Sequence, residues 1–144
     1  MVSGHRIEKL LNYDIEWIKE SIDLVVQNLM LDGVSYGMSG MASGVDLWFC
    51  AACIKNKLPY SACIPFDEQA EYMDNSWKVL RQEYIQKAAN VMMIRNNRMT
   101  EDCQWAIVVW DGNKGGTHNC FQQLLEYNKN IVWIIPNRKK IVTL

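Results

Sequence analysis

The sequence predicts an α/β fold: a single Rossmann-like domain spanning residues 1–144, with a mostly parallel sheet and helices on both faces. Three observations lead there. Apolar runs of strand length alternate along the chain with longer segments whose apolar residues recur at helical spacing. Such alternation builds right-handed βαβ units, which cover a parallel sheet on both sides. Two of the strand-to-helix junctions carry glycine-bearing segments, Ser39-Gly40-Met41-Ala42-Ser43-Gly44-Val45-Asp46 and Asp111-Gly112-Asn113-Lys114-Gly115-Gly116-Thr117. Finally, 144 residues without an internal repeat, low-complexity tract or linker make one ordinary domain with one core.

The elements follow in order. Met1-Val2-Ser3 leaves only a stub of a first strand, which in this fold is central, and His5 and Arg6 emerge from it. Ile15, Ile18, Ile22, Val25 and Leu29 fall at helical spacing, Asp14 and Glu16 suit the first turn, and Gly33 is the stop signal. Val34 to Met38 reads as a short strand. Leu47, Ala51, Ile54 and Leu58 then define the inner face of a second helix, and Tyr60 to Phe66 another strand. From Asn75, the residues Trp77, Leu80, Tyr84, Ile85 and Ala88 trace a third helix, followed by the brief apolar run Val91 to Ile94. The polar stretch Arg95 to Asp102 is the longest candidate loop and is expected to lie over the site. Trp105 to Trp110 is a near-continuous apolar strand, Phe121, Leu124 and Leu125 mark the last helix, and Ile131 to Ile135 is the final strand ahead of Pro136.

Composition excludes several classes of function. No apolar run approaches the roughly 20 residues needed to cross a bilayer, so no membrane partner is expected. The amino terminus lacks the features of a secretory signal. The odd set of cysteines, Cys50, Cys53, Cys63, Cys103 and Cys120, is scattered through apolar contexts and fits a reducing cytoplasm. Cys50-Ala51-Ala52-Cys53 has redox spacing but lies well inside the second helix, away from the helix amino terminus that lowers a thiol pKa, so core packing is the preferred reading. Two histidines far apart argue against a zinc site, and no metal or cofactor is expected. A formal net charge of -1 provides no broad basic face, which disfavours extended nucleic-acid binding, although a groove lined by a few arginines escapes that count.

In open sheets of this kind, ligands occupy the crevice beyond the carboxyl ends of the strands, where both glycine segments fall. Gly40 and Gly44 leave the backbone bare, so a phosphate can approach the amides at the start of the second helix. The competing reading is a capping box, in which Ser43 and Asp46 satisfy those amides without any ligand. Around Gly115, Gly116 and Thr117 the ligand reading has Thr117 and Asn119 as hydrogen-bonding side chains, and the alternative is a tight turn with a helix cap. Asp111-Gly112-Asn113 is also consistent with turn chemistry alone. Arg6 suits a phosphate because a guanidinium binds two oxygens at once, with a structural ion pair as its alternative; His5 either bonds a ribose hydroxyl or braces the loop, and Arg95 and Arg98 are weaker candidates that a solvated loop also explains. Among the six tryptophans, which spacing assigns mostly to core or subunit interface, Trp110 is the candidate to stack on a base.

Gly4-His5-Arg6, Gly40-Met41-Ala42-Ser43-Gly44-Val45-Asp46, and Asp111-Gly112 with Gly115-Gly116-Thr117-His118-Asn119, together with Arg98-Met99, resemble in order the YpsA-like branch of the SLOG superfamily. That superfamily also contains the DNA-processing protein DprA and the LOG phosphoribohydrolases. The resemblance covers nearly the whole chain. It implies a Rossmann-like fold that binds a nucleotide or nucleotide-derived small molecule, assembled as a homo-oligomer. LOG enzymes carry a glutamate shortly after their glycine-threonine motif; here Thr117 is followed by His118, Asn119, Cys120 and Phe121. Cleavage of a ribosyl bond ordinarily needs such a carboxylate. Non-catalytic binding of an ADP-ribose-type ligand, as a sensor or sequestering protein, is therefore the expected function. The alternatives are a nucleoside-monophosphate hydrolase in which Asp46 or Asp111 supplies the acid, and a DprA-like single-stranded DNA binder.

Overall fold

The computed structural model describes residues 1–144. The chain runs β1 (Val2–Gly4), α1 (Ile15–Leu31), β2 (Gly37–Ser39), α2 (Val45–Lys55), β3 (Tyr60–Cys63), α3 (Asn75–Lys87), β4 (Asn90–Met92), α4 (Asn96–Asp102), β5 (Trp105–Val109), α5 (Gly116–Glu126), β6 (Asn130–Ile135) and β7 (Lys140–Thr143). Two 3-10 turns, Ile7–Lys9 and Asp67–Tyr72, follow β1 and β3. The strands form two ladders, β1-β5-β6-β7 and β2-β3-β4. Every pairing is parallel except β6 with β7. β1 adjoins β2 without a hydrogen-bonded ladder. From β1 the chain steps outward through β2, β3 and β4, then returns to set β5 on the other side of β1. That reversal is the switch point at which such sheets open a crevice.

Alternation along the strands explains the helices on both faces. Ile107 and Val109 of β5, with Val132 and Ile134 of β6, join Ile18, Ile22 and Val25 of α1 and most of α2 in one core cluster. The intervening Ala106, Val108 and Ile131 face the other way, into a smaller cluster with Met99 of α4 and Cys120, Phe121 and Leu124 of α5. Strands buried on both faces read as continuous apolar runs. α1 is the most conventional helix: Asp14 caps it by accepting from the Trp17 amide at 3.1 Å, and Gly33, with φ +99°, follows its end.

Four expectations change. β2 begins at Gly37 rather than Val34. α2 has no single inner face: wedged between α1, α3, β1 and β2, it buries Val45, Leu47, Trp48, Phe49, Cys50, Ala52 and Cys53, and Leu58 falls beyond its end. Arg95 to Asp102 is not a loop, because burial of Met99 and Thr100 folds it into α4. A seventh strand follows Pro136: the turn 136–139, in which Lys139 adopts φ +48°, returns β7 antiparallel to β6. All five cysteines are free and buried. Burial pushes the Cys50 thiol up to about 12 and the Cys53 thiol higher still, the opposite of a reactive pair. No helix is long and apolar enough to cross a membrane.

Candidate functional site

The turns that follow β1, β2 and β3 meet the amino terminus of α5 around a crevice of about 400 Å³. Its lining is mostly polar, and the volume lies within the range of small-molecule sites. The turn after β1 supplies one wall. Gly4 is set against α2 so closely that a side chain there would meet Val45 at 2.7 Å. His5 and Arg6 follow it into the crevice. His5 is buried and its Nε2 donates to Asp111 Oδ1 at 2.9 Å, which leaves Nδ1 without a protein partner. Arg6 is exposed and forms no ion pair.

Asp111 ties two loops together. Besides His5, its carboxylate accepts from Tyr13 Oη at 2.8 Å, from the Asn113 amide at 3.0 Å and from Asn113 Nδ2 at 3.0 Å. Burial alone would raise its pKa, but the Asn113 amide, His5 and Tyr13 outweigh that and hold the carboxyl at about 2. An ionised acceptor of this kind fixes the proton of His5 on Nε2. Asp111 acts on the crevice through His5 and does not itself line it.

Asp46 has the opposite environment. In the first turn of α2, its Oδ2 accepts from the Ala42 amide at 3.1 Å, while Ser39 Oγ donates to its backbone carbonyl at 2.9 Å. Burial pushes its carboxyl up to about 7, although the Ala42 amide and the charge of Arg6 pull it down. It lines the crevice. The expected capping box is half formed: Asp46 reaches back to Ala42, but Ser43 makes no cap and the N-cap is Gly44. Gly44 is there for packing. Its φ is +87°, and a side chain would meet the Ile7 amide at 2.9 Å and the His5 carbonyl at 3.2 Å.

The third wall is the start of α5, whose N-cap Gly115 has φ +150° and no side-chain cap. Lys9 Nζ lies 3.3 Å from where a Gly115 side chain would begin, and Gly116 has nothing within 4 Å. Thr117 is buried, lines the crevice and has no side-chain hydrogen bond within the protein. Uncapped amides, a lysine and an arginine together make a setting for an anion.

Of the residues nominated from sequence, Gly4, His5, Arg6, Gly40, Ala42, Asp46, Gly116 and Thr117 line this crevice. Ser39 is a buried brace, and Ser43 borders a small adjoining hollow with Arg6. Met41 is fully buried with φ +62°, its sulfur 3.7 Å from Cys50 Sγ, so it is a core residue. Gly112 and Asn119 are exposed outside the crevice, and Arg98 is paired with Asp102 at 3.1 Å on the outer side of α4. Trp110 is sealed between His118, Phe121 and Trp133, and its Nε1 donates to the Asn113 carbonyl, so it offers no ring to a base. Lys9, Phe66, Gln69 and Asn96 also line the crevice and carried no motif. The turn after β3 was the available signal, since every strand-to-helix turn at this end of a parallel sheet is a candidate wall. No protein-family model matches the chain, and no curated protein does.

Proposed function

We propose that the crevice binds a nucleotide-derived ligand of the ADP-ribose kind without turning it over, so that the chain serves as a sensor or sequestering module of the YpsA-like SLOG type. One observation carries the reading. The first turn of α5 has no side-chain cap, its Thr117 hydroxyl makes no hydrogen bond within the protein, Lys9 stands beside it, and Arg6 lines the same polar crevice. Backbone amides, a hydroxyl and two cations are the groups that hold a phosphate, and nothing in the protein uses them. Asp111, one of the two carboxylates nearest the glycine loops, is consumed by His5, Tyr13 and Asn113, which removes it as a catalytic acid.

The test is thermal unfolding with AMP, ADP, NAD, ADP-ribose, cyclic ADP-ribose isomers and a short oligonucleotide. A ligand at about a hundred times its dissociation constant adds about 2.7 kcal/mol, a rise of several degrees for a domain of this size. A selective rise with one class of nucleotide supports the reading; a flat panel sinks it.

A second reading, hydrolysis of a nucleoside-monophosphate N-glycosidic bond, is favoured by Asp46 alone. A crevice carboxyl pushed up to about 7 is suited to exchange a proton near neutral pH. Release of free base from AMP, abolished by Asp46→Asn, would establish it.

A further inference from the structure

The turn after β3 contributes the one exposed aromatic surface at the crevice. Phe66 lines the crevice while remaining 38% exposed, and it also borders the adjoining hollow, about 40 Å³, with Arg6, Glu8, Gln69 and Tyr72. Tyr72 meets it edge-on with ring centroids 6.3 Å apart. The turn beneath is held from two sides. Gln69 Nε2 donates to the Gly40 carbonyl at 2.8 Å, and Gln69 Oε1 accepts from Arg81 Nε and Nη2, both at 3.2 Å. Arg81 is largely buried and these are its only side-chain hydrogen bonds, so a guanidinium paired with no acid fixes a neutral amide. The effect is to lock the Phe66 turn onto the glycine loop.

Contacts along its walls also order the crevice from one end to the other. Lys9 adjoins Gly115, Gly44 lies on His5 and Ile7, Asp46 lies on Gly40, and Gly40 is bonded to Gln69 below Phe66. Lys9 and the open amides of α5 therefore occupy one end, and the aromatic ring, with Arg6 beside it, the other.

We propose that Phe66 is the platform for an aromatic base, so that the ligand spans the crevice with its phosphate toward α5 and its base stacked on this ring. This rests on the nucleotide reading above and adds to it which end of the ligand is read where. A flat ring with a hydrogen-bonding edge suits this end of the crevice, since Phe66 provides the face and Arg6 and Glu8 the polar rim.

The experiment compares AMP and ADP-ribose with ribose 5-phosphate, which lacks the base, by calorimetric titration of the wild type, Phe66→Ala, Phe66→Leu and Phe66→Trp. Base stacking predicts that the wild type prefers the two adenine ligands to ribose 5-phosphate by about tenfold or more. Phe66→Ala and Phe66→Leu remove that preference and leave ribose 5-phosphate binding unchanged, while Phe66→Trp keeps it. Phe66→Leu retains apolar bulk, so it reports on the ring even where the alanine variant loses stability. An undiminished adenine preference in both the alanine and leucine variants overturns the platform but leaves the nucleotide reading standing. Failure of all three ligands to bind the wild type overturns both.

Discussion

In the loop before α2, a methyl group on Gly44 would meet the Ile7 amide at 2.9 Å; in the loop before α5, a methyl group on Gly116 would meet nothing within 4 Å. The two loops look alike in sequence and differ in what their glycines are for. Packing of β1 against α2 accounts for Gly44, and for Gly4 against Val45, with no ligand involved. No packing accounts for Gly116, at a helix start where the Thr117 hydroxyl makes no hydrogen bond within the protein. The aspartates of the two loops diverge in the same way. Asp111 is ionised and bonded to three residues, whereas Asp46 is burdened by burial and bonded to one amide. A glycine motif therefore points to a ligand most strongly where the fold itself leaves it unused.

Gly44→Ala should break the first loop most severely. Strain at positive φ and overlap with the Ile7 backbone together cost about 3 kcal/mol or more, a fall of roughly 10 °C in the unfolding midpoint. A midpoint within a degree or two of wild type would show that the loop is not clamped. Asp111→Ala comes next, at about 2–3 kcal/mol, because His5 and Tyr13 lose their acceptor.

The two aspartates also differ in the sign of their pH dependence. The lowered pKa of Asp111 stabilises the fold above the usual carboxylate range and is lost as pH falls toward about 2, so Asp111→Ala should flatten that acid limb. The raised pKa of Asp46 works the other way. Its contribution is present at low pH and is lost as pH rises from about 4 to about 7, so Asp46→Asn should gain on the wild type between pH 5 and pH 8. Midpoints of both proteins at those two pH values decide it, and an unchanged difference would falsify the assignment.

Gly116→Ala sharpens the contrast from the other side. With open space at that position and a better helix former, stability should change by no more than about 1 kcal/mol, while the nucleotide-induced rise in midpoint is lost. A variant that binds as well as wild type would return this loop to turn chemistry. The smallest effect belongs to Arg98→Ala. Its exposed pair with Asp102 contributes less than about 0.5 kcal/mol, and ligand binding should be untouched.

Much of the fold was legible because burial leaves a period in the sequence. α1 was visible in Ile15 through Leu29 with its Asp14 cap, and β5 in the run from Trp105. α2 was located but its face was misassigned, since a helix buried almost all round has no amphipathic stripe. α4 and β7 were hidden for another reason: a helix of seven residues and an edge strand of four bury too few side chains to set a pattern. In the site, glycines and charges marked the walls after β1 and β2 and before α5. Phe66 and Gln69 carried no motif, because an aromatic ring after a strand reads the same whether it points to core or crevice.

The amino-acid order by itself determined the α/β alternation, the parallel character of the sheet and the two glycine loops at its carboxyl edge. Those follow from local periodicity and backbone freedom, which neighbouring residues encode. Tertiary structure alone decided that Asp111 is spent on His5 and Tyr13, that Asp46 titrates near neutral pH, that Trp110 is sealed and that Phe66 is open. Each of these depends on how much water and which partners reach a side chain, and residues separated by up to 106 positions supply them.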